Sequence, residues 1–520
     1  MASALVLSVF TGCSKTENDD PKAVDDNSVA IVLSDDEITC GGEKVTDDST
    51  AAVYVSHDIV YYEDKDAYES GNPYGEGADA DRHSAEEAAA HTVVNITEAG
   101  TYRLSGQLSK GQINVDLGDD AKTDETAVVT LILDGADISC EVAPAILFSS
   151  VYECDNDASE DTASSEVDTS KAGANIVIAD DSVNNISGSH VAKIYKDNDE
   201  QKKLCKQDGA VYSYMSMNVD CENENSAGTL NIKADNEGLD TEMHLTINGG
   251  NINIYADNDG INTNEDGISV TAINGGSLHI IAGLGEEGDG IDSNGWLVIN
   301  GGTVIASANP AADAGLDSDM GSYINGGTVI ALGSTMDWTE SDSGQVTMNL
   351  QFAEEKSSGD AIAITDTDGS TVFEYDFADD EVISSNTRNY TGAIISCPDF
   401  KTGETYNVFI GSIKQAYTGT DVMGGHGDMP QTSNNNEGFD PRENGDGGTP
   451  PEIPDEQHNG DMPSPPDMQG NDGRPTPPDM QGGEMHGAPN NMQLNEGDAS
   501  AEFYMQDTVN FFSGIRSISE

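Results

Sequence analysis

Basic residues are scarce in this chain. Lys and Arg total 22 against 95 Asp and Glu among 520 residues, a formal net charge of −73. Such a surface repels nucleic acid, phosphates and anionic lipid headgroups, so no nucleic-acid partner is expected and a polyanionic ligand needs a bridging cation. Aromatic residues make up 6 % of the chain, with two tryptophans, Trp296 and Trp338, so stacking platforms are few. No run of about twenty apolar residues is present, which excludes a membrane-spanning helix. The seven cysteines form no CxxC pair, which argues against structural zinc. A P-loop, an HExxH pair and a GxSxG elbow are also missing. Gly283-Leu-Gly-Glu-Glu-Gly288 fits GxGxxG, but it holds two glutamates and is followed by another turn, so it reads as a loop rather than a dinucleotide cradle.

What remains points to β structure. The 56 glycines and a 36 % apolar fraction predict a turn-dense all-β protein. Ala2 to Phe10 is a short apolar stretch that leads into Thr11-Gly12-Cys13, an arrangement similar to a bacterial lipobox. It predicts a lipoprotein signal over residues 1–13, lipidation at Cys13, and a cell-surface, extracellular protein touching the membrane only through its N-terminal lipid. The other six cysteines permit disulfides, with Cys140–Cys154 and Cys205–Cys221 near in sequence. Residues 14–90 read as an acidic tether and irregular region. Residues 91–333 read as the main β domain and 334–422 as a C-terminal β or capping region. Residues 423–500 form a Gly/Pro/Met-rich segment expected to be disordered, and 501–520 a short terminal element.

Between Ala227 and Gly333 the chain repeats. Asn-Gly-Gly turns begin at Asn248, Asn274, Asn300 and Asn325, flanked by alternating residues such as Leu245-Thr-Ile247 and Leu297-Val-Ile299. Alternation predicts strands with one buried face, and Ile252, Leu278, Val304 and Val329 fall in one inward column. A unit of about 26 residues without helical period cannot bury itself, but stacked coils can share one core. A parallel β-helix (solenoid) is therefore expected. A β-propeller needs blades of about 40 residues, which this period does not supply.

Acidic turns alternate with the Asn-Gly-Gly turns: Glu237-Gly-Leu-Asp240, Asp259-Gly-Ile-Asn262, Asp289-Gly-Ile-Asp292 and Ala314-Gly-Leu-Asp317. Stacked about 4.8 Å apart, two carboxylates repel by about 3 kcal/mol at an effective dielectric of 20. Calcium, which takes six to eight oxygens, relieves that repulsion. The expected ligands are Asp235, Asp240, Asp257, Asp259, Asp289, Asp292, Asp317 and Asp319. The competing reading has each Asp closing an Asx-turn and facing water. Trp296, His244 and Tyr255 fall at outward positions by alternation and are candidates to line a sugar-binding surface.

Ile96-Thr-Glu-Ala-Gly-Thr-Tyr-Arg-Leu-Ser-Gly106, Gly111-Gln-Ile-Asn-Val115, Leu131-Ile-Leu-Asp-Gly-Ala-Asp-Ile138, Asp208-Gly-Ala-Val-Tyr-Ser213 and the repeated turns occur in order. Over residues 91–420 this resembles the carbohydrate-binding β-helix proteins related in fold to pectate lyases of polysaccharide lyase family nine. The resemblance implies an extracellular right-handed β-helix, bound calcium, and affinity for plant-type polysaccharides including cellulose and polygalacturonate.

A lyase of that kind needs a base, usually Lys, beside the metal. From Ala234 to Glu355 there is no Lys or Arg, and Lys233 sits in a strand where it is expected to face solvent. The sequence therefore predicts a calcium-dependent binder of acidic or plant-type polysaccharide and no enzyme. A polysaccharide lyase and an adhesive protein without a glycan ligand are the alternatives. It fixes no oligomeric state.

Overall fold

The computed structural model describes residues 27–63, 74–75, 77–195, 203–223, 227–421, 492–493 and 499–518. Cys13, the expected signal over residues 1–13 and nearly all of segment 423–500 lie outside them. The described chain is all-β, and its larger part is three ladders of parallel strands. One ladder runs through Gly100–Leu108, Val129–Ser139, Ala174–Ile178, Met217–Cys221, Leu245–Ile247, Val270–Ile273, Trp296–Ile299 and Gly321–Ile324. The second begins on the latter half of Val129–Ser139. It continues through Val183–Gly188, Thr229–Ala234, Asn251–Ala256, Ser277–Ile281, Thr303–Ser307 and Thr328–Gly333. The third runs through Thr92–Ile96, Gly111–Asp116, Ile146–Ser150, Gly209–Ser213, Glu237–Thr241, Ile261–Thr263 and Ile291–Ser293.

The repeat sets the register. Ile252, Leu278, Val304 and Val329 are paired in sequence across the second ladder, and all four are buried. The second glycine of each turn has positive φ, for example Gly276 at +84° and Gly302 at +79°. A Cβ on Gly302 would lie 2.7 Å from the Gly276 carbonyl oxygen, so these corners exclude side chains. Outside the corner the asparagines hydrogen-bond in a chain. Asn274 Nδ2 donates to Asn248 Oδ1 at 2.9 Å, Asn300 to Asn274 at 2.9 Å, and Asn325 to Asn300 at 3.0 Å.

Three features depart from the sequence expectations. Residues 29–56, expected to be irregular, include Val29–Leu33, which pairs in parallel with Gly100–Leu108, and Val53–Ser56, antiparallel to Thr92–Ile96. Thr246, on the face opposite Leu245 and Ile247, is buried because Thr169, in the loop after Ser150, reaches it with its hydroxyl at 2.7 Å. No disulfide forms among the described residues: Cys140 and Cys154 are free thiols, while the sulfur of Cys205 lies 3.4 Å from the Tyr214 hydroxyl and that of Cys221 donates to the Asn223 carbonyl at 3.2 Å.

After Gly333 the pairing turns mainly antiparallel. Asn389–Ser396 pairs with both Thr328–Gly333 and Thr347–Ser357, and Val509–Ser517 adds a parallel strand. Ile305, Ile330 and Leu332 face outward from the second ladder into an apolar cluster with Leu350, Phe352, Phe377 and Phe512, which joins this region to the repeats.

Candidate functional site

The acidic turns meet along the third ladder. Tyr212, Asp240, Asn262 and Asp292 are consecutive register partners there, so the Gly-Leu/Ile-Asp motif becomes a column of side chains. At one end Asp208, Glu237 and Asp240 offer carboxylate oxygens that all lie within 4.8 Å of one another. Glu237 and Asp240 are buried, at 4 % and 0 % exposure.

Some oxygens here are satisfied. Asn262 Nδ2 donates to Glu237 Oε1 at 3.2 Å, and Asn264 Nδ2 donates to Asp240 Oδ1 at 2.6 Å. Lys206 Nζ lies 2.7 Å from Asp208 Oδ2 and donates to Asn264 Oδ1 at 2.7 Å. Glu237 Oε2, Asp240 Oδ2 and Asn262 Oδ1 are buried with no donor. Leaving such acceptors unpaired costs about 1–3 kcal/mol each, more when they are charged. Burial, together with the Glu237 carboxylate, holds Asp240 well above the usual carboxylate range. Burial also raises Glu237, with Asp208 adding to it and Lys206 opposing.

The column continues through Asp259, Asp289, Asp292 and Asp317. The Asp289 N–H donates to Asp259 Oδ1 at 2.7 Å, and the Ala314 N–H donates to Asp289 Oδ1 at 2.5 Å. Burial and the Asp317 charge push Asp289 up to about 8. Burial, then Asp317 and Asp319, pushes Asp292 up to about 7. Burial also holds Asp259 well above the usual carboxylate range, with Glu237 and Asp292 behind it.

The expected ligands therefore divide. Asp240 sits in the compact cluster, and Asp259, Asp289, Asp292 and Asp317 extend it. Asp235 is exposed and engaged elsewhere, accepting from Ser189 Oγ at 2.6 Å and lying 3.2 Å from His190 Nδ1. Asp257 is exposed beside Asp235, and Asp319 is exposed but close enough to raise Asp292. Asp208, Glu237, Asn262 and Lys206 join the site without having been on the expected set. Asp208-Gly209 invites alignment with Glu237-Gly238, but Gly209 pairs with Glu237, one residue out of step. That offset hides Asp208 from a motif comparison.

Beside the cluster lies a cavity of about 400 Å³ with polar walls, among them Lys193, Lys206, Glu242, Asn264, Asp266 and Asn294. Lys206 and Asn264 belong to both cavity and cluster. The three residues proposed for a sugar surface are not among the described residues of its wall. His244, expected to face outward, is 2 % exposed: its Nδ1 accepts from the Val270 N–H at 3.0 Å and its Nε2 lies 3.3 Å from Asp155 Oδ2, in the loop after Ser150. Trp296 is half-buried on the first ladder, in register with Val270. Tyr255 is half-buried on the second, where Asp380 and Glu381 lie close enough to raise its phenol after burial does.

The family profile described as carbohydrate-binding domain-containing protein matches residues 90–172 and 158–398. The chain belongs to that family. Its members are described by carbohydrate binding, and the matched span contains the three ladders from Thr92 onward with the acidic column. Among solved structures, a polysaccharide lyase-like protein from C. thermocellum, determined as a gadolinium derivative, is similar at 21 % identity. The alignment covers 58 % of this chain and 92 % of that one, with a TM-score of 0.33. The curated proteins contain no match.

Proposed function

We propose that this carbohydrate-binding family member is a bacterial surface lipoprotein that grips acidic or plant-type polysaccharide through calcium, on a right-handed parallel β-helix. The three parallel ladders, each gaining one strand per repeat, support the helix. Family membership supports the carbohydrate ligand. The apolar run before Cys13 supports the anchor. The observation that carries the reading is the set of buried, donorless oxygens on Glu237, Asp240 and Asn262 beside Asp208.

Hard oxygen donors without nitrogen or sulfur suit calcium, and these four side chains would hold it. A bound calcium ion supplies the positive charge that lets a uronate carboxylate approach so acidic a protein. Lys193 and Lys206 on the cavity wall add the positive charge of the chain itself, and Asn264 and Asn294 add amides able to meet sugar hydroxyls. The deciding experiment is a glycan array of neutral and acidic plant polysaccharides, probed with the purified chain in calcium and again in chelator. Retention of an acidic or plant glycan in calcium and its release by chelator is the expected result. Signal that ignores the chelator removes calcium from the function, and a blank array in calcium favours an adhesive role without a glycan.

Lys206 favours a second reading, a lyase, because it brings an amine to the acidic cluster. Burial lowers its proton affinity, but Asp208, Glu237 and Asp240 outweigh burial and hold it above the usual lysine range. It therefore stands as a charged donor rather than a base, and binding is preferred. Unsaturated uronate product absorbing in the ultraviolet, lost in Lys206→Met, would reverse that preference.

A further inference from the structure

Away from the acidic column, Ser277 and His279 lie two residues apart on Ser277–Ile281. Both are half-buried on its outer face, opposite the buried Leu278 and Ile280. Ser277 Oγ is 2.9 Å from His279 Nε2, and His279 Nδ1 is 2.7 Å from Asp380 Oδ2. Asp380 comes from the region after the repeats, 101 residues further along the chain, and is 7 % exposed. Three more donors fix it: the Tyr375 hydroxyl at 2.7 Å and the N–H groups of Val382 at 2.9 Å and Ile383 at 3.2 Å. Burial alone would raise its carboxyl, but the hydrogen bonds from His279 and Tyr375 prevail and hold it below the usual range. An ionised partner at Nδ1 selects the tautomer with its proton there, which leaves Nε2 to accept from the serine hydroxyl. Each group stands in the relation that acyl transfer requires of nucleophile, base and positioning carboxylate.

We propose that Ser277, His279 and Asp380 form a hydrolytic triad that removes O-acyl groups from carbohydrate. Ser277 Oγ adds to the ester carbonyl while its proton passes to His279 Nε2. The tetrahedral adduct expels the sugar oxygen, which takes that proton and leaves as the alcohol. Water then adds to the acyl-Ser277 ester, again giving its proton to His279. Collapse returns that proton to Ser277 and releases the acid. The balance is ester plus water to alcohol plus acid, with no redox partner. Thr303, half-buried on the next strand, is the register partner of Ser277, and its hydroxyl is the group we assign to meet the developing oxyanion. A neutral ester suits a chain of charge −73, which opposes phosphoesters. The sugar portion of the substrate rests on the carbohydrate reading; the acyl chemistry rests on the triad alone.

The full chain is treated with a fluorophosphonate probe and, separately, with p-nitrophenyl acetate. One adduct per chain on Ser277, found by peptide mass spectrometry, is expected. Ser277→Ala removes it, and His279→Gln slows labelling by about a hundredfold or more. Asp380→Asn lowers kcat for the acetate with KM unchanged, as a positioning residue should; a change in KM alone would remove Asp380 from the triad. Unchanged melting and unchanged calcium response in Ser277→Ala and His279→Gln show that they fold. Absence of an adduct at Ser277 in the folded chain, or acetate turnover that survives Ser277→Ala, overturns the proposal. Chelator is expected to leave labelling intact. Labelling without glycan binding defeats only the carbohydrate reading, and calcium-dependent glycan binding without labelling defeats only the triad.

Discussion

Two columns of polar side chains climb the same repeats, and they solve the stacking problem in opposite ways. Asn248, Asn274, Asn300 and Asn325 are exposed, and each of the last three donates to the one before it. An amide carries donor and acceptor together, so a stack of amides satisfies itself. Asp240, Asn262 and Asp292 stack with the same strand spacing at the other corner, but an ionised carboxylate only accepts. There the described residues supply one cation, Lys206, and leave buried oxygens without donors. A self-complementary column serves as scaffold, whereas a column that does not satisfy itself is where the proposed calcium would sit.

The strongest way to break this contrast is to make the acidic end neutral. Glu237→Gln with Asp240→Asn is expected to weaken calcium binding by about a hundredfold or more and to erase any calcium-induced rise in melting temperature. Calorimetric titration and melting check both. In chelator the same variant should melt higher than the parent chain, because the buried repulsion is gone; a lower melting point would mean that these carboxylates stabilise the fold unaided.

Next in size is the pH response of the extended column. Asp289 and Asp292 are raised in the folded chain to about 8 and about 7 by burial and by Asp317. An acid whose pKa is raised on folding contributes stability that is fully present below its unfolded value near 4 and is lost as pH rises through the folded value. In chelator the parent chain should therefore lose stability between about pH 4 and pH 8 relative to Asp289→Asn/Asp292→Asn. The gap should open by on the order of 5 °C in melting temperature. Parallel melting curves across that window would show that the two groups are not buried as described.

Lys206 sharpens the comparison from the other side. It is the only ammonium among the described residues paired with the compact cluster, and under the calcium proposal it would compete with the ion. Lys206→Met should tighten calcium by about tenfold while lowering the melting temperature in chelator. Weaker calcium binding in this variant would make Lys206 a support for the site rather than a competitor.

Much of this was legible before the fold was known, for a physical reason. A stacked repeat converts spacing directly into register, so the Asn-Gly-Gly intervals place Ile252 beside Leu278 and Asp240 beside Asn262 without tertiary knowledge. What escaped lies where the period breaks. Asp208 and Lys206 precede the regular repeats and enter one residue out of register. His244 reads outward by alternation, but Asp155 and Thr169 lie in a loop outside the repeat that closes over that face of the first ladder. Asp380 reaches His279 from a region with no repeat at all. Alternation tells which side of a strand a residue takes; it does not tell what else covers that side.

The smallest expected effect addresses the asparagine column. In Asn274→Asp the acceptor for Asn300 survives, but the donor to Asn248 is lost and two oxygens then face each other. Because the column is exposed, water can solvate the new charge, and the loss in denaturant unfolding should be about 1 kcal/mol. Extending the change to Asn248→Asp/Asn274→Asp/Asn300→Asp builds a carboxylate stack with the spacing of the acidic column but without its burial. That variant should lose further stability and gain no calcium dependence in its melting. If calcium did restore it, stacked charge alone would suffice to bind a cation. If it does not, the determinant at Asp240 is the exclusion of water from oxygens that no donor among the described residues satisfies.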